Sequence, residues 1–101
     1  MGWASSYITK LAAGETVRFR PHGSSMQGKI ESGQLVTVEP VKDANTLKPG
    51  DIVLCKVRGS EYLHLITAVR DKQFQISNNK NHVNGWTTAR AIYGICTRVE
   101  D

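Results

Sequence analysis

The sequence predicts a small, mostly β protein, with strands forming one antiparallel, meander-like or barrel-like folded sheet and at most one short helix. Three observations support this fold class. The 101 residues suit a single domain. A composition of 40% hydrophobic and 22% charged residues is typical of globular proteins. Six or seven short β-rich runs are separated by turn residues at nearly regular spacing.

The first element is the only one with helical character. Residues 1–14 are expected to form an arm or a short helix, because residues 4–13 are compatible with a helix and Gly14 can end it. The β domain is expected to span residues 15–101, and no linker divides it.

The strands of that domain follow from β-rich runs that are bounded by turn residues. The predicted strands are 16–20, 34–41, 51–58, 61–70, 73–76 and 91–99. Gly59-Ser60 is the right length for a two-residue type II′ hairpin turn, and residues 70–72 predict a second tight turn. The polar, asparagine-rich run 78–86 predicts a long loop.

Charge and cysteine usage limit the partners and the compartment. A net charge of +4 is spread along the chain, so a nucleic-acid partner is compatible with the sequence but is not favoured over a peptide or protein. Cys55 and Cys96 lie in apolar runs, which favours buried thiols over a disulfide. We therefore expect a cytoplasmic protein.

The sequence indicates neither a membrane span nor a bound cofactor. No apolar stretch approaches the roughly 18 residues that a spanning helix needs. The histidines and cysteines lack the spacing of metal ligands, so we expect no metal and no cofactor. The oligomeric state stays open.

The segment between the first two predicted strands is rich in glycine. Gly23, Gly28 and Gly33 permit backbone conformations that other residues rarely adopt, so a tight loop could present Ser25 to solvent. A serine in such a loop is by default an ordinary polar residue.

Four blocks of sequence change this interpretation. They are Gly23-Ser24-Ser25-Met26, Leu47-Lys48-Pro49-Gly50-Asp51-Ile52-Val53, Tyr62-Leu63-His64-Leu65-Ile66 and Tyr93-Gly94-Ile95-Cys96. Their order over roughly residues 15–99 resembles that of the LexA-like and type I signal-peptidase-like serine peptidases. The resemblance implies the folded β-sheet domain of that superfamily.

The resemblance also implies roles for individual residues. Ser25 falls on the nucleophile, and Gly23 and Met26 fall on the loop that supports it and its oxyanion site. His64 falls on the position of the general base, where most members carry lysine. Histidine suits this role because its ordinary pKa leaves it mostly neutral at pH 7.

The sequence leaves two candidates for the residue that would orient the imidazole. Members that use histidine resemble this arrangement but place an aspartate in the later loop, where this chain carries only asparagines. Asn79 and Asn84 are the candidate orienting residues, since an asparagine can hold an imidazole ring in one tautomer.

Two functions therefore stay open. The first is a serine-type endopeptidase that hydrolyses peptide bonds with a Ser25–His64 dyad. The second is a catalytically inactive binding or regulatory module of the same fold, including one of phage type, with a protein or, less favoured, a nucleic-acid partner. A distance of about 3 Å between Ser25 Oγ and the His64 ring would favour the enzyme.

Overall fold

A computed structural model describes residues 2–101. These residues contain one α-helix, α1, at Ser5–Ala12, and two single-turn 3₁₀ segments, Ala44–Thr46 and Ala89–Ala91. The seven strands are β1 (Val17–Phe19), β2 (Leu35–Pro40), β3 (Ile52–Val57), β4 (Ser60–Arg70), β5 (Gln73–Ser77), β6 (Val83–Thr88) and β7 (Ile92–Glu100).

All seven strands belong to one antiparallel sheet with the order β1-β2-β7-β3-β4-β5-β6. The predicted mostly β class with a single short helix is confirmed. The sheet is not closed into a barrel, since the edge strands of the described chain, β1 and β6, do not pair with each other. Only β3 to β6 form a meander, because β7 inserts between β2 and β3.

The two tight hairpin turns share one geometry. The pairing of Val57 with Ser60 leaves Arg58 and Gly59 as the turn residues, with φ values of 52° and 82°. Two positive φ values define a type I′ turn, which matches the twist of the flanking strands. The predicted type II′ turn at Gly59-Ser60 is therefore wrong by one residue and in type. The predicted turn at residues 70–72 is present.

The predicted loop 78–86 is partly a strand, because Val83–Thr88 forms β6 and pairs with β5. β6 lies at the edge of the sheet and most of its residues are partly or fully exposed. An exposed edge strand needs few apolar residues, so its sequence resembles a loop. The loop itself shortens to residues 78–82.

The core lies on both sides of the sheet. One cluster packs α1 through Ile8 and Leu11 against β2, including Val36. The other cluster, which includes Ile66 and Ile76, fills the opposite side. None of the helices in residues 2–101 has the length and hydrophobicity to cross a membrane.

The two cysteines are free thiols in different surroundings. Cys55 is fully buried, and burial raises the pKa of its thiol to about 12. Cys96 is only half-buried, so the expectation of two buried thiols holds for Cys55 alone.

The sheet is strongly curved, and this curvature brings the far edge back over its middle. The hydroxyl of Thr87 on β6 donates to the backbone oxygen of Lys56 on β3 at 2.9 Å, although two strands separate β6 from β3. Register shifts lie at Thr67 in β4 and at Asn84 in β6. Such bulges bend a strand and increase its twist.

Gly94 on β7 packs closely against both β2 and α1, and this packing supplies a test of the fold. A Cβ at this position would lie 2.6 Å from Val38 Cγ1 and 2.9 Å from Leu11 Cδ1. Gly94→Ala is therefore expected to lower the free energy of unfolding by about 1–3 kcal/mol, measured by urea denaturation. The cost should shrink in a Val38→Ala background, because the clashing methyl is then absent. An equal cost in both backgrounds would contradict this packing.

Candidate active site

Ser25 lies in the connection between β1 and β2, residues 21–33, here called the serine loop. The N–H of Gly33 donates to the carbonyl of Pro21 at 2.8 Å and closes the base of the loop. The side chains of Met26 and Ile30 are buried in the core and anchor it. Ser25 itself is exposed, so the loop presents its hydroxyl outward from a fixed backbone.

Asn79 ties the serine loop to the connection between β5 and β6. Its backbone N–H donates to Ser25 O and its side-chain Nδ2 donates to Gln27 O, both at 2.8 Å. A Cβ at Gly28 would lie 3.0 Å from Asn79 Nδ2, and Gly28 has a φ of 99°, so glycine is required there. Asn79 therefore holds the serine loop and does not orient His64, which corrects one of the two sequence-based alternatives.

His64 lies on β4 and reaches the serine. Its Nε2 is 3.2 Å from Ser25 Oγ, which is within hydrogen-bond reach. The imidazole is only 7% exposed and stacks on the ring of Tyr62 with centroids 4.9 Å apart. The sequence hypothesis required this proximity of two residues that lie 39 positions apart.

Asn84 supplies the third member of the arrangement. Its Oδ1 lies 2.7 Å from His64 Nδ1. Because an amide oxygen only accepts, Nδ1 carries the hydrogen in this arrangement and the Nε2 lone pair faces Ser25. Ile76 pairs with Gly85 and Ser77 pairs with Val83, so Asn84 is the extra residue of a bulge.

The bulge explains how Asn84 reaches β4 from a strand that is not its neighbour. An extra residue in one strand re-aims a side chain away from the regular alternation. Gly85 allows β6 to approach β3 closely, since a Cβ at residue 85 would lie 3.0 Å from Val57 Cγ1 on β3.

The environment keeps His64 neutral at and above neutral pH. Burial lowers the pKa of the imidazole, the hydrogen bond with Asn84 raises it, and the charge of His82 lowers it further. The net effect is a pKa below the ordinary value of 6.5. The ring is therefore available as a proton acceptor.

Ser24 and Ser25 face different side chains. Lys80 Nζ lies 3.3 Å from Ser24 Oγ, so Ser24 faces the lysine and Ser25 faces the histidine.

No acceptor within residues 2–101 takes the backbone N–H of Ser25. The N–H of Gly23 donates to Ser32 Oγ at 3.1 Å, and Gly23 has a φ of 120°, so it shapes the loop.

A cleft of about 420 Å³ lies between the serine loop and β4. Ser25 and His64 line it, together with the apolar side chain of Leu63. Trp3 and Glu61 also line the cleft, and the sequence hypothesis did not include them. No motif marks these two residues, because their place at the cleft depends on how the first residues pack on β4. The described residues contain no cluster of three or more metal-ligating side chains.

Comparisons with protein-family models, curated proteins and solved structures find no match to this chain. The interpretation of the site therefore depends on its own geometry.

The lowered pKa of His64 can be measured by NMR titration of the imidazole C–H signals, assigned with a His64→Gln variant. We expect a midpoint below 6.5, and a lower one in Asn84→Ala, because the hydrogen bond that raises the pKa is lost. A midpoint above 6.5 would contradict the described environment.

The same shift makes stability depend on pH. Since the folded-state pKa lies below the unfolded-state value, the unfolded chain binds the proton first as the pH falls. The stabilisation that neutral His64 contributes to the free energy of unfolding should therefore be fully present above pH 6.5. It should be lost as the pH falls to the folded-state pKa. Urea denaturation of the wild type and of His64→Gln between pH 5 and 8 measures this contribution.

Proposed function

We propose that this chain is a serine endopeptidase in which Ser25 is the nucleophile and His64 is the general base. The observation that carries the proposal is the chain of contacts Ser25 Oγ–His64 Nε2 at 3.2 Å and His64 Nδ1–Asn84 Oδ1 at 2.7 Å. A serine, a base within reach and a group that orients the base are the geometric requirements for activating a hydroxyl.

The reaction begins when Ser25 Oγ attacks the carbonyl carbon of a peptide bond while His64 Nε2 takes the hydroxyl proton. The tetrahedral intermediate collapses as the C–N bond breaks, and His64 returns the proton to the leaving amine. A water molecule then attacks the Ser25 ester, with His64 again accepting and returning a proton. The products are a carboxylic acid and an amine.

The unpartnered N–H of Ser25 supports stabilisation of the intermediate. A backbone donor that makes no hydrogen bond in the resting protein can receive the developing oxyanion without breaking an existing contact. The anchors of the serine loop, Met26 and Asn79, keep that N–H in place.

Asn84 affects how effectively His64 acts as the general base. It holds the tautomer in which Nε2 can accept a proton, but as a neutral group it stabilises the imidazolium less than a carboxylate would. We therefore expect a moderate kcat, with His64 already in its neutral, proton-accepting form at pH 7.

The free edge of β4 supports a peptide substrate. β5 pairs with β4 only from Leu65 onward, so residues 60–64 have β3 on one side and the cleft on the other. Because hydrogen bonding alternates along an antiparallel pair, the N–H and C=O groups of Glu61 and Leu63 point away from β3. An extended peptide can add to such an edge and place its backbone beside Ser25.

The order of sequence blocks supports the same reaction class. It resembles that of LexA-like and signal-peptidase-like serine peptidases, with His64 in place of the usual lysine. We infer that this chain carries the histidine form of that catalytic arrangement, with asparagine as the orienting residue.

The proposal is tested by incubating the protein with a proteome-derived peptide mixture and identifying new termini by mass spectrometry. Ser25→Ala should remove all cleavage, because no nucleophile remains at His64. Ser24→Ala is the matched control and should keep activity within about threefold, since that hydroxyl faces Lys80. Equal cleavage by the wild type and Ser25→Ala would show that the serine is not catalytic.

The role of Asn84 predicts opposite effects for two substitutions. Asn84→Ala should lower kcat roughly 10- to 100-fold, since the imidazole loses the acceptor that holds its tautomer. Asn84→Asp should raise both kcat and the pKa that governs kcat/KM, because a carboxylate stabilises the imidazolium. The pH profiles of kcat/KM for the three proteins provide the measurement. Unchanged kinetics in Asn84→Ala would exclude this role.

A further inference from the structure

A second set of contacts lies along the cleft from Ser25, and the proposed reaction does not use it. The indole Nε1 of Trp3 donates to the backbone oxygen of Glu61 at 3.1 Å. The backbone N–H of Ala4 and the hydroxyl of Ser5 donate to the two carboxylate oxygens of Glu61 at 2.6 and 2.7 Å. Residues 2–5 are thereby tied to β4, next to the cleft.

The Glu61 carboxylate lies at the N-terminus of α1, where a negative charge is favourable. Ala4, the N-cap residue, has no side chain that could accept a hydrogen bond, and its own backbone N–H donates to Glu61. Burial raises the pKa of Glu61, but the hydrogen bonds from Ser5 and Ala4 and the charge of Lys56 lower it, and the net pKa lies below the ordinary value. The carboxylate is therefore ionised at neutral pH and holds residues 2–5 firmly.

The ring of Trp3 is held in place by its contacts but remains accessible to solvent. It contacts the ring of Phe19 edge to face, with centroids 5.9 Å apart. The side chain is nevertheless 52% exposed, and it lines the same cleft as Ser25 and His64. A fixed aromatic surface that faces a cleft is suited to contact an apolar ligand group.

Trp3 also limits how far a peptide can pair along the free edge of β4. The carbonyl of Glu61 is one of the groups that point away from β3, and the indole N–H already occupies it. A peptide that pairs with β4 can use both groups of Leu63 but loses the carbonyl of Glu61. Pairing along this edge therefore stops at Trp3.

We infer that Trp3 is a specificity-determining residue of the proposed peptidase, selecting a large apolar side chain in the bound peptide. Glu61 lies three residues along β4 from His64, or about 10 Å at the rise of an extended strand. An extended peptide has the same rise, so Trp3 contacts the residue about three positions from the scissile bond. This inference depends on the proposed function.

The chemistry of the lining favours an apolar side chain over a basic one. The two carboxylates that line the cleft are already engaged, Glu61 with residues 4 and 5 and Glu31 with the N–H of Gly28 at 2.7 Å. The group that remains open to a ligand near Trp3 is its own aromatic ring, which is 52% exposed, while Leu63 beside it is apolar and buried.

The test uses the cleavage sites found in a proteome-derived peptide mixture. The wild-type sites should show large apolar residues enriched at one position about three residues from the cut. Two synthetic peptides are then made that differ only there, with leucine or alanine. The wild type should cleave the leucine peptide with a kcat/KM about tenfold higher.

Trp3→Ala should reduce this ratio to about twofold or less, and Trp3→Phe should give an intermediate ratio. A ratio within one preparation is independent of the folded fraction, so partial unfolding of a variant does not alter the result. Trp86→Ala is the matched control, because Trp86 is an exposed tryptophan outside the cleft, and it should keep the wild-type ratio.

The two proposals fail in different ways. An unchanged ratio in Trp3→Ala, with cleavage that still requires Ser25, overturns the role of Trp3 and leaves the peptidase intact. An absence of any Ser25-dependent cleavage by the wild type overturns the peptidase and, with it, the role of Trp3.

Discussion

The curvature of the sheet is the constraint on which the site depends. β6 returns over β3, where the Thr87 hydroxyl meets the backbone of Lys56 at 2.9 Å. In a flat sheet, a strand two places from β4 would lie about 10 Å away, too far for an amide to reach His64. Curvature and the bulge at Asn84 together bring the Asn84 Oδ1 atom to 2.7 Å from His64 Nδ1. The same bend carries Asn79 to the serine loop.

The site is consequently assembled from three separate parts of the chain. The serine loop provides the hydroxyl, β4 provides the imidazole, and the segment from Asn79 to Asn84 holds both of them. Each part is anchored in a different way, by buried Met26, by the ring of Tyr62 and by backbone hydrogen bonds. Such independent support fixes the positions of the hydroxyl and the imidazole relative to each other, as the proposed activation of Ser25 requires. Burial of His64 adds the neutral state that a base needs at pH 7.

Local sequence signals predicted most of the strands but not how they are joined. The turn at residues 70–72 is evident because Asp71 and Lys72 separate two β-rich runs. The preceding hairpin was misplaced by one residue, since Arg58 adopts a positive φ that glycine normally provides. β6 was missed because an exposed edge strand is free of the apolar alternation that marks a half-buried one. The insertion of β7 between β2 and β3 has no local signal at all.

The sequence by itself determined the mostly β class, the glycine-bounded loop that presents Ser25, and His64 as a candidate base. The β class and the loop follow from strand periodicity and backbone freedom, which are local properties, whereas the candidacy of His64 follows from the resemblance of the sequence blocks to those of serine peptidases. Only the tertiary structure decided that Asn84, not Asn79, contacts the imidazole, since a bulge and a curved sheet select between two asparagines five positions apart. It also placed Trp3 and Glu61 at the cleft, because long-range packing, which no local pattern encodes, brings residues 57 or 58 positions away onto β4.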